Sequence, residues 1–414
     1  MKNKNIWIVN YFTPPPQYVT QERHHKFYHY LKEKGYNVTI IASSYLVRNE
    51  INLINGANKY EFVKYDEYDF ILIKSKSYTG NGISRMFSNF QFAYRLLKNR
   101  KKFPKPDLIL HNLHVPFDCL VYNCAKKLKA KYIAEAWDLW PDSFVRFGLI
   151  SEKNPIISFL YQLEKNIYKK ADAVIFSMEG GLDYLKGRKW TKELGGPIDE
   201  NKVHYINNGV DIADFNNHKK VYSLNDKDVE NNSMFNVVYL GSIRLVNDVK
   251  QLIDAAQLLL EYKDIRFIIY GDGYERDFLI EYCNKNKIDN VIFKDKFIPL
   301  THVPYVMSRA SVNILNYKKD FGLYGISSGK LFQSLASGKP LICNIELNYD
   351  LITKYNLGIA EELDTPKKYA DAVLKIYNMD IKEYNEMCER VLNQSYQFDY
   401  KFLSDKLIDI IENI

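Results

Sequence analysis

Tyr324-Gly-Ile-Ser-Ser-Gly-Lys-Leu-Phe-Gln-Ser-Leu-Ala-Ser-Gly-Lys-Pro-Leu-Ile342 reads as a tight loop, a short helix, a glycine stop and a buried strand. Ser327 or Ser328 can cap the helix, and Gly329 lets the backbone come close to a ligand. The free N–H groups of the first turn and the helix dipole face an anion, to which Lys330 adds charge. Gly338-Lys-Pro340 then ends the helix ahead of the strand. A capped Ser-Ser-Gly-Lys start also serves as plain architecture, so phosphate binding and simple capping both remain open at this point.

Working outward, short apolar runs rich in β-branched residues alternate with amphipathic stretches. Ile6–Asn10, Val38–Ala42, Phe70–Ile73, Leu108–His111, Tyr132–Ala136 and Ala173–Ser177 read as strands, with crossover helices between them. That rhythm predicts a parallel, doubly wound sheet whose ligands gather at the carboxyl ends of the strands. The polar segment Ser223–Ser233 reads as an exposed loop, and a second series follows: Asn236–Leu240, Arg266–Tyr270, Val291–Lys294, Val312–Asn316 and Pro340–Cys343. Two Rossmann-like halves in tandem are predicted, joined near Asn207–Asp211.

A chain of 414 residues exceeds what one hydrophobic core usually serves, and 46% apolar residues supply two. No apolar run approaches the roughly 18 to 20 residues that span a bilayer, and Met1–Asn10 reads as a first strand without a signal-peptide core, so a cytoplasmic protein is expected. The five cysteines are scattered without metal or redox spacing and read as reduced packing residues. A net charge of +7 favours anionic partners such as phospholipid head groups or nucleotide sugars without choosing among them. The basic residues form no groove interleaved with aromatics, which disfavours a nucleic-acid partner.

The ordered set Tyr36–Ile41, Glu135-Ala-Trp-Asp-Leu-Trp-Pro-Asp142, Ile206-Asn-Asn-Gly-Val-Asp-Ile-Ala-Asp-Phe215, Tyr270-Gly-Asp-Gly-Tyr-Glu275, Asn290–Phe293 and the 324–342 stretch resembles a family-4-type retaining glycosyltransferase over nearly the whole chain. The Asp-Leu-Trp-Pro and Gly-Ile-Ser-Ser-Gly-Lys forms are similar to a bacterial subgroup that builds capsule and O-antigen units, often with amino or deoxy sugars. The resemblance implies an α/β fold of the GT-B kind, with two Rossmann-like domains facing across a cleft. It places an acceptor domain at 1–206 plus 395–414 and a nucleotide-sugar domain at 207–394. The helix after Tyr396 is then expected to cross back to the first domain, with hinges near Asn207 and residue 394 that allow closure. A nucleotide-diphosphate donor, UDP by resemblance, and a lipid-linked or glycan acceptor follow, with no metal or other cofactor and no protein nucleophile. Asp226-Lys-Asp228, the nearest approach to a metal motif, reads as solvated surface.

By the same resemblance, Ser328, Gly329, Lys330 and Arg244 stabilise the departing diphosphate. Gly325, Ile326, Ser327, Gln333, Ser242, Asn247, Phe297 and Arg23 complete the expected substrate contacts. The sequence departs from the family pattern in several places. Gly325 and Gln333 stand where two glutamates spaced eight apart are normal. Ser242 and Asn247 replace an Arg and a Lys, and Thr13-Pro-Pro-Pro-Gln-Tyr-Val19 replaces a glycine pair. Arg244 either substitutes for the missing cation or points to solvent. Gln333 can still hydrogen-bond ribose hydroxyls through its amide.

On the acceptor side, Leu110-His-Asn-Leu-His-Val-Pro116 ends the fourth predicted strand, and His114 is the candidate near the sugar, with His111 as a strand-end residue. Arg23 and His24 occupy a place where the subgroup carries a basic residue. Asp138 either orients an acceptor hydroxyl or caps a turn. Trp137 and Trp140 read as core, with a sugar-stacking platform as the alternative. Ile83, Met86, Phe87, Phe90, Tyr94 and Leu97 form an apolar stripe beside Arg85, Arg95, Lys98, Arg100, Lys101 and Lys102. That stripe either packs on the first sheet or, helped by Phe92, Leu96 and Phe103, rests on anionic lipid. A sugar-binding relative without activity and a nucleotide-sugar 2-epimerase are the alternative functions.

Overall fold

The computed structural model describes residues 4–19, 21–80, 82–114, 116–146, 148–231, 233–318 and 323–414. Val115 of the histidine segment and Asn232 of the polar segment lie outside the described residues. The chain forms two compact units, one of residues 1–207 with 403–414 and one of 208–402.

The first unit carries an eight-stranded sheet. Its order is Val203–Tyr205, Ala173–Phe176, Lys131–Ala136, Leu108–Asn112, Asn5–Val9, Asn37–Ser43, Tyr68–Ile73, Tyr60–Tyr65. All pairs are parallel except the last, where Tyr60–Tyr65 runs antiparallel to Tyr68–Ile73. That edge strand corrects the purely parallel expectation. Its two-residue turn is Asp66-Glu67, with Asp66 at φ 51°, and carries none of the glycine that marks a hairpin in sequence. Nearly every side chain of the central strands is buried, as a sheet covered on both faces requires.

The last helix, Tyr400–Asn413, begins in the second unit and ends in the first. Lys4 Nζ donates to the Ile411 carbonyl at 3.2 Å, Lys34 pairs with Asp405 at 2.9 Å, and the Tyr36 hydroxyl donates to Glu412.

The second unit is a six-stranded, all-parallel sheet in the order Val291–Phe293, Ile265–Tyr270, Phe235–Leu240, Val312–Leu315, Leu341–Cys343, Gly358–Ala360. One face buries Leu252, Ile253, Phe267, Leu279 and Val373, and the other buries Phe332, Leu335, Leu341 and Phe398. The polar segment before this sheet is not a plain exposed loop. Val229 is buried within a short helix, and Lys294 reaches Asp226 at 2.7 Å and Asp228 at 2.5 Å. Arg266 adds a contact to Asp228 at 3.2 Å. The two aspartates of the Asp-Lys-Asp trio are thus ion-paired and half-buried, because Arg266 on one strand and Lys294 just past the next face them. All five cysteines are free thiols.

Candidate active site

In the second unit the 324–342 stretch folds as its sequence reads, with a helix from Gly329 to Ser337 that Gly338 stops in the left-handed region at φ 66°. The start differs from expectation. Ser328 occupies the N-cap position but makes no capping bond with its side chain. Ser327 is committed elsewhere: its hydroxyl accepts from the Asn208 N–H at 2.8 Å, and its carbonyl accepts from Asn208 Nδ2 at 2.6 Å. The first N–H groups of the helix therefore lack a side-chain cap and remain available to an anion. Gly325 lies at φ 89°, so a glutamate at that position would be strained as well as absent.

Lys330, in the first turn, points its amino group toward two rings, 5.4 Å from the centroid of Tyr239 and 5.6 Å from that of Tyr317. A Cβ on Gly241 would lie 2.8 Å from this Nζ, so the lysine covers the loop after the first strand of this sheet. Its stem is half-buried while its amino group is enclosed, and that burial lowers its pKa to about 8. Among the described residues no carboxylate pairs with it. A cation held beside aromatic faces and helix N–H groups with no counter-ion is suited to an incoming anion.

The Gly241–Asn247 loop is braced by the Gly271–Glu275 loop. Gly241 N–H donates to the Tyr270 carbonyl at 3.0 Å and Ile243 N–H to the Asp272 carbonyl at 2.9 Å. The approach is so close that a Cβ on Gly271 would fall 1.7 Å from the Gly241 oxygen, and one on Gly273 2.0 Å from that of Ile243. This accounts for both glycines of the Tyr270–Glu275 motif. Ser242 Oγ and Asn247 Oδ1 are bonded to each other at 2.7 Å. Arg244 is exposed, as is Phe297 in the loop after Val291–Phe293. Gln333, on the second turn of the helix, is half-buried with its amide unbonded among the described residues.

In the first unit, three neighbouring strands deliver Asn10, His114 and Glu135 to one sheet end, and the helix Arg23–Glu33 adds Arg23 and His24. Arg23 is 1% exposed, which corrects its reading as a substrate contact: Nε bonds Glu135 Oε1 at 2.8 Å, Nη2 bonds the Ile206 carbonyl at 2.8 Å, and Nη1 bonds the Asn207 carbonyl. His24 Nε2 lies 2.7 Å from Glu135 Oε2. Burial alone would raise the Glu135 pKa, but Arg23 and His24 outweigh it and hold the carboxyl at about 2. His114 Nε2 reaches Asn10 Oδ1 at 2.8 Å, and burial, with His24 and Arg85 nearby, lowers its pKa to about 3. His111 is the buried strand-end residue, bonded to the Tyr132 hydroxyl at 2.7 Å.

His114 and Asp138 line one small, largely apolar cavity with Trp140, Leu160 and Glu164. Asp138 is open to solvent, and the protein around its carboxyl raises its pKa. Trp137 and Trp140 are both half-buried, not core, and Trp137 leans on His24 at 4.8 Å. The helix Ile83–Asn99 buries Phe92, Ala93 and Leu96, whereas Ile83 is 85% and Met86 50% exposed. The predicted stripe therefore faces outward over most of its length. Phe92, Leu96 and Phe103 face the core and cannot assist contact with a surface. Sequence reasoning missed Asn10, Glu135 and Asn207 as partners. Their signal lies in position alone, at the ends of adjacent strands or at the start of the 206–215 motif.

Two family models match consecutive stretches of the chain: Glycosyltransferase Family 4 over residues 24–214 and Glycosyl transferases group 1 over residues 224–397. TuaH of Bacillus subtilis, assigned to teichuronic acid biosynthesis, is 25% identical over 289 residues, and the chain spans 61% of its length and aligns over 69% of its own. Among solved structures, the E. coli trehalose-6-phosphate protein bound with UDP-2-fluoro glucose superposes with a TM-score of 0.73 at 12% identity, over 99% of both chains. Anabaena HepE in complex with UDP and glucose superposes with a TM-score of 0.66 at 12% identity, over 100% of both chains. The two family matches take in most of the chain, on either side of the 207/208 boundary, and the chain belongs to the family-4-type glycosyltransferases with two Rossmann-like units of GT-B architecture.

Proposed function

We propose that the protein transfers a sugar, of the hexosyl or N-acetylhexosaminyl type, with retention of configuration from a UDP-linked donor to a lipid-linked or glycan acceptor in bacterial surface polysaccharide synthesis. The observation that carries the donor half is Lys330, an enclosed ammonium with no counter-ion among the described residues, at the uncapped start of the Gly329–Ser337 helix. A diphosphate seated there would meet the first helix N–H groups, the Ser328 hydroxyl and this cation, which strengthen as charge develops on the leaving group. The UDP complexes of the HepE and E. coli relatives support that choice of nucleotide.

With Lys330 supplying the positive charge, the reaction proceeds without a metal. The departing phosphate takes the proton of the attacking hydroxyl, so no side-chain nucleophile is needed. Gln333 bonds a ribose hydroxyl, and His114 and Asp138 meet the acceptor. The outward apolar and basic helix Ile83–Asn99 brings the protein to anionic lipid, where a lipid-linked acceptor resides. Saturation-transfer NMR against UDP, GDP and their sugar conjugates tests the donor reading. Selective UDP signals lost in Lys330→Ala and Gln333→Ala are the expected result, and no binding to any nucleotide would overturn it.

A further inference from the structure

The orientation of one buried amide fixes the chemistry of His114. Phe12 N–H, which can only donate, lies 2.9 Å from the carboxamide oxygen of Asn10. That oxygen also faces His114 Nε2 at 2.8 Å, so this ring nitrogen must carry the proton. Asn10 Nδ2 then donates to His24 Nδ1 at 3.1 Å, a nitrogen that Thr13 Oγ1 also approaches at 3.2 Å. His24 therefore carries its proton on Nε2 and donates it to Glu135, whose other oxygen is held by Arg23. In this arrangement each contact linking Arg23, Glu135, His24, Asn10 and His114 pairs a donor with an acceptor. The members from Asn10 to Glu135 are almost wholly buried, so a reversed amide would leave polar groups unsatisfied.

We propose that Asn10 is a positioning residue that holds His114 as a neutral, Nε2-protonated ring, leaving the Nδ1 lone pair to accept a hydrogen bond from a hydroxyl of the acceptor sugar. This rests on the transferase reading above. Nδ1 has no partner among the described residues, and His114 lines the same cavity as Asp138. The groups around the ring keep it neutral. Burial is the main cause, His24 and Arg85 further disfavour a second proton and outweigh the opposing pull of Glu135, which is paired with Arg23, and Asp118 is turned to the His114 backbone N–H at 3.1 Å. Phe12 packs edge-on against the ring at 4.7 Å and fixes its plane.

Long-range nitrogen–proton correlation spectra of the eight histidines in the full-length labelled protein test the lock directly, with His114→Gln assigning the ring. His114 is expected as the Nε2–H tautomer, unchanged between about pH 5.5 and 8, whereas Asn10→Leu lets it titrate or mix tautomers. A proton on Nδ1 in the unaltered protein, or titration of His114 within that range, overturns the proposal, and neither result depends on Asn10→Leu folding. In a transfer assay, Asn10→Leu is expected to lower kcat on the order of tenfold while the donor KM stays put, with Asn10→Asp as a second variant. Unchanged kcat in a variant whose His114 tautomer has been released also overturns it. Loss of UDP binding by the unaltered protein would instead strike the donor reading, since the tautomer is read without nucleotide.

Discussion

Replacing Lys330 by methionine is expected to make the empty protein more stable while removing its hold on a nucleotide diphosphate. The ammonium sits against the rings of Tyr239 and Tyr317 with no carboxylate beside it among the described residues, and burial lowers its pKa from 10.5 to about 8. At roughly 1.4 kcal/mol per pH unit, keeping that charge in the empty site costs about 3 kcal/mol at neutral pH. The sign is fixed by linkage. The unfolded chain keeps the proton up to about pH 10.5 and the folded chain releases it near 8, so stability rises with pH between those values. Lys330→Met should therefore raise Tm at pH 7, and its advantage should vanish above about pH 10.5.

Donor binding should run the other way. Lys330 is about nine-tenths protonated at pH 7 and one-tenth at pH 9, so the affinity for a UDP-sugar should fall about tenfold across that interval. Lys330→Arg carries the same uracil and phosphate ionisations but a cation that does not titrate, so its affinity should fall much less. Calorimetry at pH 7 and 9, with thermal melts of the empty proteins, reads both effects. Parallel pH dependences for the lysine and arginine proteins, or a methionine variant no more stable at pH 7, would refute the reasoning.

Glu164 accepts hydrogen bonds from Tyr168 at 3.0 Å and Tyr184 at 2.7 Å, yet burial pushes its pKa up to about 8. Its raised pKa favours folding fully below the unfolded value near 4.5 and loses that contribution as pH climbs through about 8. Glu164→Gln should therefore raise Tm at pH 8 and leave it unchanged near pH 4. Arg23→Met strips the main counter-charge from buried Glu135 and should cost about 3 to 5 kcal/mol in urea unfolding, while the pair Arg23→Met with Glu135→Leu should cost less than the two singles together. Transfer activity should survive dialysis against a chelator, and activity restored only by added divalent metal would remove Lys330 from its assigned role. Changing Lys98, Arg100, Lys101 and Lys102 to glutamate should abolish co-sedimentation with anionic vesicles, and undiminished binding would end the membrane assignment.

The candidate residues of the two units differed in how readable they were, for a physical reason. The donor loop is local: the glycine at φ 89°, the helix start, Lys330 and the Gly338 stop fall within one short run, and their conformational demands are written in residue type. What sequence could not supply there was the fate of the hydroxyls. Ser327 is drawn off its helix by Asn208, a partner 119 residues away in sequence, which leaves the helix start without a side-chain cap.

The first unit inverts the balance. Its apolar strand runs announce the sheet, but Arg23 and Asn207 are separated by 184 residues and His114 and Asn10 by 104, and only the strand order brings them to one end. Alternation of apolar residues says that a strand exists, and says nothing of which strand lies beside it. The same limit hid the Tyr60–Tyr65 edge, since a hairpin through Asp66-Glu67 offers no glycine to mark it. Arg23 was read as a substrate contact because it occupies a place where the resembled subgroup carries a basic residue. The buried carboxylate that claims it stands 112 residues downstream, and a guanidinium that is 1% exposed and bonded to Glu135 and two carbonyls does not face an incoming phosphate. Arg23 instead anchors the segment Ile206-Asn207, where the first unit's long stretch of chain ends.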